Sequence, residues 1–83
     1  MMDAALHIWK TSRVPKHSLA AALVMSAVDR QDWEGAFENA NALSALKRQI
    51  VEAEIVMVRD GVNFRGAQAT LQASQHGPAE SGT

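Results

Sequence analysis

The chain has 83 residues, of which 47% are apolar and 20% charged, a composition that supports one small folded domain. It contains no cysteine, which excludes a disulfide framework and a thiolate zinc site. The net charge is −1, and residues 29–60 carry seven acidic against four basic side chains, the reverse of the basic footprint that an independent DNA-binding protein usually shows.

The first half of the chain contains two predicted helices. The first spans residues 3–12, and its inward side is expected to contain Ala5, Leu6, Ile8 and Trp9. Pro15 ends this helix, because a proline disfavours the α conformation of the residue before it, and the same proline can open the next helix. Residues 18–28 are rich in alanine and apolar on most sides, which predicts the most buried element of the fold.

A polar segment, "DRQDWEGAFENAN", follows the second helix. Asp32 is a predicted N-cap for one or two helical turns in which Trp33 and Phe37, four residues apart, share one face. Asn39 or Asn41 is then expected to cap a long helix.

The long helix is predicted from about Leu43 to Asp60. Its core stripe is expected at Leu46, Ile50, Ala53 and Met57, widened by Val51, Ile55 and Val58. Gly61 is predicted to end the helix, because glycine readily takes the left-handed conformation past a helix C-terminus. Asn63 would then cap a last short helix.

These elements predict an all-α fold, a small bundle of four to five helices. A short apolar helix, a link with a tryptophan and a longer helix are typical of a helix-turn-helix-like core. Residues 1–73 are expected to form the single domain, and residues 74–83, which lack an apolar anchor, a disordered tail. The first residues do not resemble a secretory signal, and the longest apolar run is about half a membrane span, so a cytoplasmic protein is expected.

The sequence carries no recognisable motif for catalysis. His7, His17 and His76 do not have the spacing of a helical zinc motif, and no G-x-S-x-G or phosphate-loop sequence occurs. Glu52 and Glu54 are two residues apart on a helix and therefore point in different directions, unlike an acid–base pair. The sequence predicts no enzyme, no cofactor and no metal.

The order "LAAALV…DW…LSALKRQIVEAEIVMVRDGVNFRG" resembles a helix-turn-helix-like domain-of-unknown-function family found on integrative and conjugative elements. The resemblance covers roughly residues 19–66. It is carried by the alanine-rich helix, Trp33, the long helix, and the closing Gly61, Phe64 and Arg65. Where members that act at DNA have several arginines along the long helix, this chain has Gln49, Glu52 and Glu54, and a glutamate facing phosphates is repelled.

The resemblance implies that the chain is an antiactivator. Small freestanding proteins of this kind bind a LuxR-type quorum-sensing regulator and an activator that contains the same domain, and thereby repress conjugative transfer. The candidate protein-binding residues are Asp29, Asp32, Trp33, Glu34, Glu38, Glu52 and Glu54. The acidic residues among them could equally be caps or solvated helix charges, and Trp33 could be a core residue packed on Phe37.

Two other functions stay open at this point. In the first, the chain is a small helix-turn-helix DNA-binding regulator that contacts DNA through Ser44, Lys47, Arg48 and Arg59. In the second, it is a structural dimer or adaptor formed by the exposed part of the long helix.

Overall fold

The computed structural model of the protein describes the backbone of residues 1–82 and the side chains of residues 1–71. All regular secondary structure in this part of the chain is helical: α1 (Asp3–Thr11), α2 (Pro15–Asp29), α3 (Trp33–Ala40) and α4 (Ala45–Gly82). The predicted all-α class is therefore confirmed, with four helices. The tail predicted at residues 74–83 has side chains outside the described residues, and its disorder stays a prediction.

The connection between α1 and α2 follows the prediction made from Pro15. Val14 has an extended backbone (φ −96°, ψ 107°), as expected before a proline, and Pro15 is the first residue of α2. The Ser18 hydroxyl donates to the carbonyl of Trp9 at 2.8 Å and so ties α2 to the C-terminal end of α1. On α1, Ala5 and Ile8 are buried as predicted, whereas Leu6 and Trp9 are partly exposed at 38% and 47%, so their inward placement was wrong.

The turn between α2 and α3 is a Schellman motif. Gln31 has φ +59°, a left-handed conformation that is uncommon outside glycine. The N–H of Gln31 donates to the carbonyl of Val28 at 2.9 Å, and the N–H of Asp32 donates to the carbonyl of Ala27 at 2.8 Å. Asp32 then caps α3 as predicted, accepting from the N–H of Gly35 at 3.0 Å. The one or two helical turns predicted after Asp32 are thus confirmed as an eight-residue helix, which a tight turn joins to α2.

The core is built mainly from small side chains. Six of its members are alanines on α1, α2 and α3: Ala5, Ala20, Ala21, Ala27, Ala36 and Ala40. The larger members are Ile8, Val24, Val28, Leu43, Val51 and Ile55. Five of these twelve residues lie on α2, more than on any other helix, which confirms that α2 is the most buried element.

The long helix begins and ends differently from the prediction. Asn39 lies inside α3, where its side-chain amide donates to the carbonyl of Gly35, and Asn41 is the C-cap of α3, so neither caps α4. Ser44 instead occupies the position before α4, and its backbone carbonyl accepts from the N–H of Arg48 at 2.8 Å.

Gly61 does not end α4. No glycine in the described chain has a positive φ, and the helix continues through Gly61 and Asn63 to Gly82. Glycine permits a left-handed stop but does not impose one, and here the backbone meets no obstacle that would turn it. The separate last helix predicted after Asn63 is therefore part of α4.

The face of α4 that packs on the core agrees with the prediction only in part. Val51 and Ile55 are fully buried and Val58 packs against the core. Leu46, Ile50 and Met57, predicted as the main core stripe, are exposed at 69%, 47% and 57%. On the buried side, Val51 and Ile55 join the close-packed core that the alanines of the other helices form, and Glu54 between them in sequence accepts from the start of α1.

Candidate protein-binding surface

Four acidic candidates are exposed around the junction of α2 and α3. Asp29 ends α2, Asp32 precedes α3, and Glu34 and Glu38 lie one turn apart on α3. We call Asp29, Asp32, Glu34 and Glu38 the acidic surface. Within it Asp32 already has a structural role, because it caps α3 and lies 3.9 Å from the Arg30 guanidinium.

Trp33 is partly buried and packs against the core together with Phe37. Its interpretation as a core residue is thus supported by its packing, while its neighbour Glu34 belongs to the acidic surface. Phe37 also carries the Arg59 guanidinium 5.8 Å from its ring centroid, a cation–π contact between α3 and α4.

Glu54 has a structural role rather than a surface role. Its side chain is only 8% exposed, and its two carboxylate oxygens accept from the backbone N–H groups of Ala4 at 2.8 Å and Ala5 at 3.1 Å. These N–H groups belong to the first turn of α1, where they have no partner within the helix and where the helix dipole favours a negative charge. Glu54 therefore caps α1 from a different helix and is removed from the candidate binding residues.

Glu52 is separated from Glu54 around the helix, as their spacing predicted. It is partly exposed, on the side of α4 that also holds Arg48 and Arg59 at spacings of four and seven residues. The Glu52 carboxylate therefore lies between the two basic residues, Arg48 and Arg59, on this side of α4.

The four residues proposed for DNA contact do not form one free basic surface. The Lys47 ammonium lies 3.2 Å from His17 Nδ1, and Arg59 stacks on Phe37 with its Nε 3.4 Å from an Asp60 carboxylate oxygen. Arg48 is partly buried, and Ser44 is exposed at the start of α4. Two of the three basic candidates are thus engaged within the protein.

An apolar stripe on α4 is exposed, contrary to the prediction from the sequence. Five large side chains along one side of the helix are exposed by 47% to 69%: Leu46, Ile50, Met57, Phe64 and Leu71. Ala53 and Ala67 are exposed between them. We call these seven residues the α4 stripe. Its helical spacing was visible in the sequence, but it was interpreted as the core-facing side.

No protein-family model, curated protein or solved structure matches the chain. Within the described part of the chain, none of the helices is both long and apolar enough to cross a membrane.

Proposed function

We propose that the chain is a cytoplasmic antiactivator of the QseM type, which binds transcriptional activators and keeps them from DNA. The partners expected from the family resemblance are a LuxR-type quorum-sensing regulator and a family-related activator, and the consequence is repression of conjugative transfer of a mobile element. The observation that carries the proposal is the acidic surface, where Asp29, Glu34 and Glu38 are exposed at the tight turn that joins α2 to α3 and along α3.

The charge of the acidic surface suits an activator better than a nucleic acid. An activator must itself present basic side chains to phosphates, so an exposed acidic surface is complementary to the region that it uses on DNA. Occupying that region would block DNA binding by competition. The contacts of Lys47 with His17 and of Arg59 with Phe37 also favour a protein partner over DNA, because they leave less positive charge available for phosphates.

The first experiment is a binding assay with the purified full chain and each activator from the same genetic element. The expected result is a stable complex, together with loss of the activator's electrophoretic shift on its own promoter as the chain is added. If neither activator binds and promoter occupancy is unchanged, the proposed function is wrong.

A charge-reversal variant tests the acidic surface. Glu34→Lys combined with Glu38→Lys should weaken the complex by at least about tenfold, because two attractive contacts become repulsive. Asp32 is left unchanged since it caps α3. The control is Asp3→Lys, a single charge reversal at an exposed site on α1 away from the acidic surface. Equal affinities for the double variant and the control would exclude the acidic surface from the interface.

DNA binding is the alternative, and a direct titration distinguishes it. A shift of duplex DNA by the chain alone, falling steeply with added salt and weakened by Arg48→Ala, would favour the DNA-binding regulator. Absence of a shift even at low salt would leave the protein-binding proposal.

A further inference from the structure

The α4 stripe has the spacing of a helix–helix seam. Its positions continue through Asp60 in alternating steps of four and three residues: 46, 50, 53, 57, 60, 64, 67 and 71. Steps of four and three repeat every seven residues, which keeps one line of side chains facing a second helix along its length. The occupant that suits this surface is therefore another long helix.

Few contacts with the rest of the protein stabilise residues 63–71 of α4. Residues 63–71 are all exposed, so α1, α2 and α3 cover little of their surface. This region also includes Gly66, and Gly61 precedes it, each less favourable in a helix than alanine by about 1 kcal/mol. Helices in water are stabilised mainly by packing of an apolar face, so a partner along the α4 stripe would supply what this region lacks.

We propose that the occupant is a second copy of this chain, paired through the α4 stripe in an antiparallel orientation. The orientation follows from Asp60, the one charged residue on the seam. In a parallel pair Asp60 would face the partner's Asp60, and two like charges would meet. In an antiparallel pair Asp60 faces the partner's Met57 and keeps its own Arg59 at 3.4 Å.

The antiparallel register also matches side-chain sizes. With Asp60 opposite the partner's Met57, Ala53 faces the partner's Phe64 and Ile50 faces the partner's Ala67, so Phe64 and Ile50 each meet an alanine. Leu46 and the partner's Leu71 close the two ends of the seam. At its edges, Lys47 lies near the partner's Gln68, and Gln49 near the partner's Thr70, so like charges do not face each other there.

The area available suits a dimer of modest strength. Each of the five large exposed side chains offers on the order of 100 Å² of apolar surface, or about 500 Å² per copy. When the alanines and the polar edges are added, the area buried by the two copies together approaches roughly 1,200 Å², the lower end of the range for specific interfaces. A dissociation constant in the micromolar range is expected.

The experiment is sedimentation of the full chain from about 1 to 500 µM. The average mass should rise from 9.0 kDa toward twice that value. Phe64→Glu should raise the dissociation constant at least about 30-fold, because it places a charge in the seam of both copies. Leu19→Glu is the matched control, since Leu19 is 61% exposed on α2 outside the stripe and its replacement should leave the mass unchanged. Circular dichroism of each variant verifies that the helices are intact.

Cysteine pairs test the orientation, because the chain has no cysteine of its own. A mixture of Ile50→Cys and Ala67→Cys chains should form the mixed disulfide in preference to either symmetric one. A monomer at every concentration, or preferential symmetric crosslinking, would overturn the proposal. A monomer whose Phe64→Glu variant loses activator binding would instead assign the stripe to the activator. The dimer is independent of the proposed function, because its mass is measured without any activator.

Discussion

Glu54 joins α4 to the start of α1, because its two carboxylate oxygens accept from the backbone N–H groups of Ala4 and Ala5. A glutamate two residues from another on a polar stretch is usually a solvated charge, and the sequence held no sign of its partners, 49 and 50 residues earlier in the chain. The partners are backbone N–H groups at the start of α1, which has no side-chain cap of its own. The missing local cap was the one available signal, and it did not specify which residue would supply the oxygen.

Replacing Glu54 should destabilise the protein far more than replacing Glu52. Glu54→Ala leaves two N–H groups at the buried start of α1 without acceptors, and we expect a loss of about 2–3 kcal/mol in the free energy of unfolding. Glu52→Ala is the control, two residues away and partly exposed, with an expected change below about 0.5 kcal/mol. Urea denaturation followed by circular dichroism measures both. Equal losses for the two variants would contradict the capping role.

At the scale of the elements, the sequence predicted the helices better than their faces. The breaks at Pro15 and Asp32 were predicted correctly because proline geometry and a capping carboxylate act within a few residues. The inward face of α4 was predicted correctly only in part. Val51, Ile55 and Val58 pack on the core as expected, but the stripe of Leu46, Ile50, Ala53 and Met57, also expected to face inward, is exposed. Which stripe is buried depends on the alanine-rich surface of the other helices and on Glu54, and neither is visible from α4 alone.

The substitution Gly61→Ala, which adds one methyl group, tests whether α4 continues through residue 61. A Cβ at Gly61 would meet nothing within 4 Å, so Gly61→Ala should raise helicity and stabilise α4 by about 0.5–1 kcal/mol. A Cβ at Gly35 would collide with the Asp32 carboxylate that caps α3, so Gly35→Ala should show no such gain. Circular dichroism at 222 nm compares the two. If Gly61→Ala lowered stability instead, a left-handed stop at this residue would be indicated.

The whole molecule is far from spherical. Its dimensions are 63 × 18 × 16 Å, and its radius of gyration is 17.5 Å, compared with about 12 Å for a compact chain of this length. The elongation comes from α4, whose 38 residues extend for roughly 57 Å while the other three helices pack near its start.

Small-angle X-ray scattering measures this shape directly. Data extrapolated to zero concentration should give a radius of gyration near 17.5 Å for the monomer. A value close to about 12 Å would mean that the second half of α4 folds back onto the other helices. Phe64→Glu should leave the extrapolated value unchanged, because Phe64 is 63% exposed in the monomer.

The contact between Glu54 and α1 also has a consequence for the order of folding. The pairs α1–α2 and α2–α3 are adjacent along the chain and can form early, whereas the contact between Glu54 and Ala4 closes a loop of 50 residues. We therefore expect this contact to be absent from the folding transition state. Glu54→Ala should then accelerate unfolding with little change in the folding rate, a φ value near zero that stopped-flow kinetics can measure. The contact of Glu54 with α1 would then be the last to form during folding and the first to break during unfolding.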